Sequence, residues 1–297
     1  MALPTIEEAE ATGEIAALYD DVRATMRSTF IPTVFRALAV HPAYLVPAWT
    51  MLRPNMATTI AETVAGALRV ACVDRLKLLV GAPRFPAVAL LESERAEIRA
   101  VLETFFYVIP KFVAAVTALH EAWQGRPIPG RPPSGPARTL PRGAPSSMPS
   151  IPMVPSDTPD PRVRRLFEAA ATMLRRPEVP SLYRTLARWP HYLDAVLESI
   201  ADPALLTGYR AAVPSLLGHV ADGCRGLPFP VSLDRAWAAR SLDPQAVSTI
   251  DAILATYQRD MPETLLQIAR LLRDLQAPRD GRVPRSGPAS STPRRAA

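Results

Sequence analysis

The chain has 297 residues, 48% of them hydrophobic, with 33 prolines and two cysteines. That is apolar material for one large or two ordinary domains, and the cysteine usage excludes a disulfide framework and fits the cytoplasm. The net charge of +6 would point to nucleic acid or an anionic membrane if it were spread over the folded body. It is not: residues 125–150 carry Arg126, Arg131, Arg138 and Arg142 with no acid, and residues 277–297 carry Arg279, Arg282, Arg285, Arg294 and Arg295 against Asp280. Each segment holds +4, which leaves the rest of the chain at −2. Neither nucleic acid nor membrane is therefore expected as a partner.

The first residues are acidic (Glu7, Glu8, Glu10, Glu14), the opposite of the basic start of a signal peptide. No apolar run is expected to reach the roughly 18 residues of a membrane span. Ile15, Leu18, Tyr19, Val22 and Met26 step by three and four and draw one helical face. The runs 211–220 and 247–257 have the same period, and alternating strand patterns are missing. Pro32, Pro42, Pro110, Pro180, Pro190 and Pro262 are each expected in the first turn of a helix, where a missing N–H costs nothing. The prediction is an all-α protein.

Two stretches interrupt the helices. Residues 125–150, rich in Pro, Gly, Ser and Arg, read as an extended or disordered linker, and residues 277–297 as a disordered tail. The helical remainder is internally repeated. Residues 18–45 recur as residues 166–193 without a gap, with identities at Leu18/Leu166, Arg27/Arg175, Pro32/Pro180, Arg36/Arg184, Leu38/Leu186, Ala39/Ala187, Pro42/Pro190, Tyr44/Tyr192 and Leu45/Leu193. Farther on, Leu102, Thr104, Pro110 and Leu119 match Leu254, Thr256, Pro262 and Leu271. The expected organisation is a first repeat (1–124), a linker (125–150), a second repeat (151–276) and a tail (277–297). Two copies of one unit usually pack about a pseudo-two-fold axis, like a homodimer made covalent, and the cleft between them is a natural ligand site.

Chemistry is sparse. His41, His120, His191 and His219 are isolated, and no CxxC, HExxH, phosphate loop or GxSxG elbow is present, so no metal or cofactor is expected. Arg36 and Arg184 occupy equivalent places. As guanidinium forks they would suit a carboxylate ligand; the alternative is an ion pair tying each helix to a neighbouring helix of its own repeat, which duplication favours. The aromatics Phe30, Phe35, Phe105, Phe106, Tyr107 and Phe112 fall near the proline breaks and are expected mostly in the core, with those beside the cleft lining it.

Residues 35–49 (FRALAVHPAYLVPAW), 105–119 (FFYVIPKFVAAVTAL), 179–190 (VPSLYRTLARWP) and 256–262 (TYQRDMP), in this order and spacing, resemble the group I 2-haloacid dehalogenases, the DehI-like enzymes. The resemblance covers about residues 4–276. It implies an all-α pseudo-dimer with the site between the repeats, hydrolysing 2-haloalkanoic acids of both hands. In that family an aspartate of the second repeat activates a water that attacks the halogen-bearing carbon directly, without a covalent ester, and an asparagine of the first repeat helps hold the water.

This chain departs from the pattern at both positions. The aspartate follows the serine of the second-repeat turn; here the serine is Ser181 and the next residue is Leu182. The asparagine precedes a Pro-Lys pair; here that pair is Pro110-Lys111 and the preceding residue is Ile109. An aromatic of the first-repeat turn corresponds to Phe30 and a second aromatic position to Thr33, while Phe112, Ser181 and Tyr257 match the family. Water attack on carbon needs a base, a contribution of roughly 10²- to 10⁴-fold, and neither Leu182 nor an unactivated Ser181 can supply it.

The expected ligand-lining set is Phe30, Thr33, Ile109, Phe112, Ser181, Leu182 and Tyr257, with no catalytic residue assigned. The first expectation is a divergent relative that binds a small apolar or carboxylic molecule with little or no hydrolysis. A second is an active dehalogenase with a relocated base, Asp194 or Asp260. A third is a helical scaffold whose Arg/Pro tails do the work. No oligomeric state is predicted.

Overall fold

In a computed structural model, the described residues are 4–79, 88–131, 135, 137–175 and 178–276. Among them the fold is all-α. The helices are α1 (Gly13–Met26), α2 (Thr33–Leu38), α3 (Pro42–Met56), α4 (Thr59–Leu78), α5 (Glu92–Trp123), α6 (Pro161–Leu174), α7 (Ser181–Leu186), α8 (Pro190–Ile200), α9 (Pro203–Cys224), α10 (Arg235–Ser241) and α11 (Pro244–Gln276). The tail expected at 277–297 lies outside the described residues.

Local chemistry sets many of the boundaries. Asp160, Asp202 and Asp234 cap α6, α9 and α10 by accepting backbone N–H bonds of the first turn, which satisfies donors that have no partner inside the helix. Pro42 and Pro190 open α3 and α8, as expected, whereas Pro32 and Pro180 sit one residue ahead of the first turn, just before α2 and α7. Pro110 and Pro262 do neither: they lie inside the 32-residue α5 and the 33-residue α11. An internal proline loses one helical hydrogen bond and costs about 3 kcal/mol. Here both helices continue through it because they are the core pair, packing more extensively on each other than any other two elements, and burial on both sides of the break outweighs the loss.

Element bounds in the two halves coincide. α1 and α6 start and stop at positions related by the same offset of 148, and so do α2 and α7; α3 and α8 start 148 apart, α5 and α11 152 apart. Even a rare backbone feature recurs. Arg27 and Arg175, the residues ending α1 and α6, are both left-handed, with φ of 55° and 52°. The short helices are exchanged: α2 packs on α11, and α7 on α5.

Between the halves, the described residues of 125–150 contain no helix and are tied to the body. Thr59 N donates to Arg138 O (2.9 Å), Leu140 N to Ala57 O (2.9 Å), and Ile128 exchanges two 3.0 Å bonds with Val231. One helix corrects the hydropathy reading: α5 is long and apolar enough to cross a membrane by length and composition. It is instead a core helix, with 78% of its most apolar window buried inside the protein. Cys72 and Cys224 are both buried and free.

Candidate functional site

The first residues of α2 and α7 meet. Each follows a proline that fixes the entry angle of the chain, Pro32 with φ −63° and Pro180 with φ −59°. This places Thr33 and Ser181 side by side, with Thr33 Oγ1 and Ser181 Oγ 3.0 Å apart. Arg36 lies behind them, 2% exposed. Its Nη2 donates to Thr33 Oγ1 (2.9 Å) and to Ser181 Oγ (3.2 Å), and its Nη1 to Glu7.

Arg184 reaches the same carboxylate, with Nη1 3.3 Å from Glu7 Oε1. Both arginines are in an ion pair, but not with a neighbouring helix: Glu7 precedes α1, Arg36 meets it within the first half, and Arg184 crosses to it from the second. The second half offers Arg184 no equivalent carboxylate. Backbone bonds from Ile6 N to Arg36 O and from Val154 N to Arg184 O are equivalent in the two halves, but the residue after Val154 is Pro155, where the first half has Glu7. Burial alone would raise the Glu7 carboxyl; the guanidinium groups of Arg36 and Arg184 outweigh it and hold the pKa below the ordinary value.

A cavity of about 50 Å³ opens beside the hydroxyl pair. At one probe sphere of 10–15 Å³ per water, this is space for about three to five waters or a small organic molecule. Its wall is built largely from equivalent positions of the two halves: Pro32 and Pro180, Thr33 and Ser181, Val34 and Leu182, Phe105 and Tyr257, Ile109 and Met261, together with Glu178, Asp260 and Thr264. On α11, residues 257, 260, 261 and 264 form one helical stripe, as do residues 105 and 109 on α5.

Of the sequence-predicted residues, Thr33, Ile109, Ser181, Leu182 and Tyr257 line this cavity, and Phe30 and Phe112 do not. Phe30 stacks on Phe105 at 4.8 Å between centroids, and Phe112 packs edge-on against Phe35 at 5.2 Å. Both support the wall from the core. Asp260 lies on the wall, 5% exposed, with Arg259 Nε 2.8 Å from its Oδ1. Asp194, the other carboxylate considered as a base, is exposed on α8.

Phe105, Met261, Glu178 and Thr264 were not singled out as site residues in the sequence. Phe105 and Met261 had a usable signal, because they stand at the repeat positions of Tyr257 and Ile109. Glu178 and Thr264 had the same signal, standing at the repeat positions of Phe30 and Phe112, although here it is the second-half residue of each pair that lines the cavity. Tyr257 Oη donates to Glu178 Oε1 (2.9 Å). Among the described residues no group of three or more His, Cys, Asp or Glu could hold a metal. In chemical terms the cavity is mostly aliphatic and aromatic, with a hydroxyl pair backed by a guanidinium on one part of the wall and two carboxylates on another.

A family model described as halocarboxylic acid dehydrogenase DehI matches residues 29–171. A configuration-inverting 2-haloacid dehalogenase of Alcaligenes xylosoxydans xylosoxydans is 29% identical over 276 residues, covering 90% of this chain and 92% of that protein. One from Pseudomonas sp. (strain 113) is 26% identical over 284 residues, with 90% and 89% covered. An (R)-2-haloacid dehalogenase of Pseudomonas putida is 27% identical over 214 residues, with 68% and 70% covered. Among solved structures, a D-2-haloacid dehalogenase mutant superposes with a TM-score of 0.81 at 20% identity, covering 92% of this chain and 96% of that one. A complex of a D-2-haloacid dehalogenase mutant with D-2-CPA gives 0.80 at 21% identity, with the same coverage.

Proposed function

We propose that the chain, which is similar to DehI-like 2-haloacid dehalogenases along about 90% of its length, is a divergent member of that family whose cavity binds a small, largely apolar carboxylic acid with little or no hydrolysis of a carbon–halogen bond. The observation that carries this reading is the pair Leu182 and Ile109 on the cavity wall, at the positions where the resembled enzymes hold the water-activating aspartate and its asparagine. A water attacking carbon must lose a proton in the transition state. An aliphatic side chain cannot accept it, and it makes the site a poor place to hold a water.

The hydroxyl pair supports recognition of a carboxylate. Two hydroxyls have two protons, and one of these lies between Thr33 Oγ1 and Ser181 Oγ. Both oxygens already accept from Arg36. The pair therefore has one O–H left to give and a positive charge behind it, a combination that favours an anionic acceptor. The coincident element bounds and the exchange of α2 and α7 support an arrangement of repeats 1–124 and 151–276 about a pseudo-two-fold axis through this seam, with 125–150 as connector. The reading calls for no metal or cofactor.

Halide release from both enantiomers of 2-chloropropionate, measured for the natural chain and for a Leu182→Asp, Ile109→Asn double variant, tests it. Release by the variant alone is expected; release by the natural chain sinks the proposal. One observation favours a second reading, an active dehalogenase with a relocated base: Asp260 is on the cavity wall. In that case the natural chain releases halide and Asp260→Asn abolishes it.

A further inference from the structure

The cavity wall is symmetric in its apolar residues and in the Thr33–Ser181 pair, and one-sided in its other polar residues. At the repeat offsets, Phe30, Val108 and Phe112 of the first half correspond to Glu178, Asp260 and Thr264 of the second. The first three are core residues away from the cavity; the second three line it. Divergence after duplication has thus placed side-chain polarity where the first half has only hydrocarbon.

All three have a protein partner. Asp260 is bonded by Arg259 (2.8 Å), and Thr264 Oγ1 donates to Asp260 O (3.0 Å). Glu178 is different. Its Oε1 accepts from Tyr257 Oη, but its Oε2 is buried with no hydrogen-bond partner among the described residues. A buried carboxylate oxygen without a donor is costly, and native proteins rarely leave one so. In this place a bound molecule can supply the donor.

We infer that Glu178 is the specificity-determining acceptor of the cavity, which takes a small carboxylic acid bearing a hydroxyl or amine beside its carboxylate in preference to a 2-halo acid. This rests on the small-acid reading of the same cavity. A hydroxyl or ammonium group satisfies the Glu178 carboxylate. A carbon-bound halogen brings no proton to it, and a departing halide would meet two carboxylates, Glu178 and Asp260, on the wall.

The test is titration of the full chain by calorimetry with four acids of one skeleton: propionate, 2-chloropropionate, 2-hydroxypropionate and alanine. One of the donor-bearing acids is expected to bind about tenfold more tightly than propionate, the effect of one hydrogen bond to a charged group. Which of the two does so identifies the donor as hydroxyl or amine. In Glu178→Gln that preference disappears, and a far-UV circular dichroism spectrum unchanged from the natural chain reports that the variant is folded. Tighter binding of 2-chloropropionate than of either donor-bearing acid, or a preference that survives Glu178→Gln, overturns the inference and leaves the small-acid reading standing. Binding of none of the four sinks that reading and the inference with it.

Discussion

Glu7→Gln removes the carboxylate on which Arg36 and Arg184 converge, and the structure sets the scale of the loss. The Arg36 side chain is 2% exposed, Arg184 11% and Glu7 35%. Breaking a fully buried pair by deleting one partner costs about 3–5 kcal/mol, whereas an exposed pair contributes about 0–1 kcal/mol. Glu7 lies between these limits: its own carboxylate is partly solvated, but the guanidinium it leaves behind has almost no access to water. A cost of about 2–3 kcal/mol at pH 7 follows. At about 2–4 °C per kcal/mol for a protein of comparable size, the melting temperature drops by ~4–12 °C.

The pH dependence is a second readout. The Glu7 carboxyl titrates below 4.5 in the folded protein, so the folded state binds this proton less readily than the unfolded chain. Its contribution is present above 4.5 and is lost as pH falls through the depressed folded value. Urea denaturation of the natural chain and of Glu7→Gln, repeated between pH 7 and pH 3, measures both effects. The variant lacks this part of the acid slope, and the two stabilities converge at the acid end. A variant within about 0.5 kcal/mol of the natural chain at pH 7, the range of an ordinary surface substitution, or acid slopes that run parallel, would refute the assignment of Glu7 as the shared anchor.

Two further outcomes can be measured the same way. Arg175 is exposed and left-handed at φ 52°, a conformation that costs a residue with a Cβ about 1–2 kcal/mol; after the larger unfolded-state entropy of glycine, Arg175→Gly stabilises by about 0.5–1 kcal/mol, and a lower denaturation midpoint contradicts this. Lys111 is buried, donates from Nζ to Met26 O (2.8 Å) and lies 3.6 Å from the Tyr107 ring centroid. Burial pushes its pKa down to about 8, with Glu62 opposing the shift, so between pH 8 and the unfolded value of 10.5 the folded chain binds fewer protons than the unfolded one. The natural chain therefore gains stability relative to Lys111→Met as pH rises through that window, and a gap that narrows instead excludes Lys111 as the titrating group.

Much of this protein is readable in one dimension because its determinants are local or repeated. Helical periodicity, the prolines before α2 and α7 and the recurrence of Arg27 and Arg175 belong to short stretches of chain, and short-range sterics decide them. The family likeness and five of the cavity residues, Thr33, Ile109, Ser181, Leu182 and Tyr257, follow from those motifs. The misplacements share one cause. Pro110 and Pro262 looked like helix starts because a proline's local preference is a first turn; only the packing of α5 on α11 outweighs it.

Phe30 and Phe112 were expected at the ligand because their positions match the motif, yet ring packing against Phe105 and Phe35 turns them into supports. The repeat pointed to Glu178 and Thr264 only through Phe30 and Phe112, and it gave no sign of which member of each pair faces the cavity; the sharing of Glu7 by two arginines from different halves had no sequence signal. Glu7 and Arg184 stand 177 residues apart, and Tyr257 and Glu178 stand 79 apart. Partnerships at such separations depend on which helix faces which, and on where one repeat lost what the other kept. Helical periodicity made the all-α class legible in the chain itself, and the recurring motifs singled out the aliphatic pair Leu182 and Ile109. Tertiary structure alone decided which carboxylates face the cavity, because a side chain's place on that wall is set by helices meeting across the seam and not by its own neighbours in the chain.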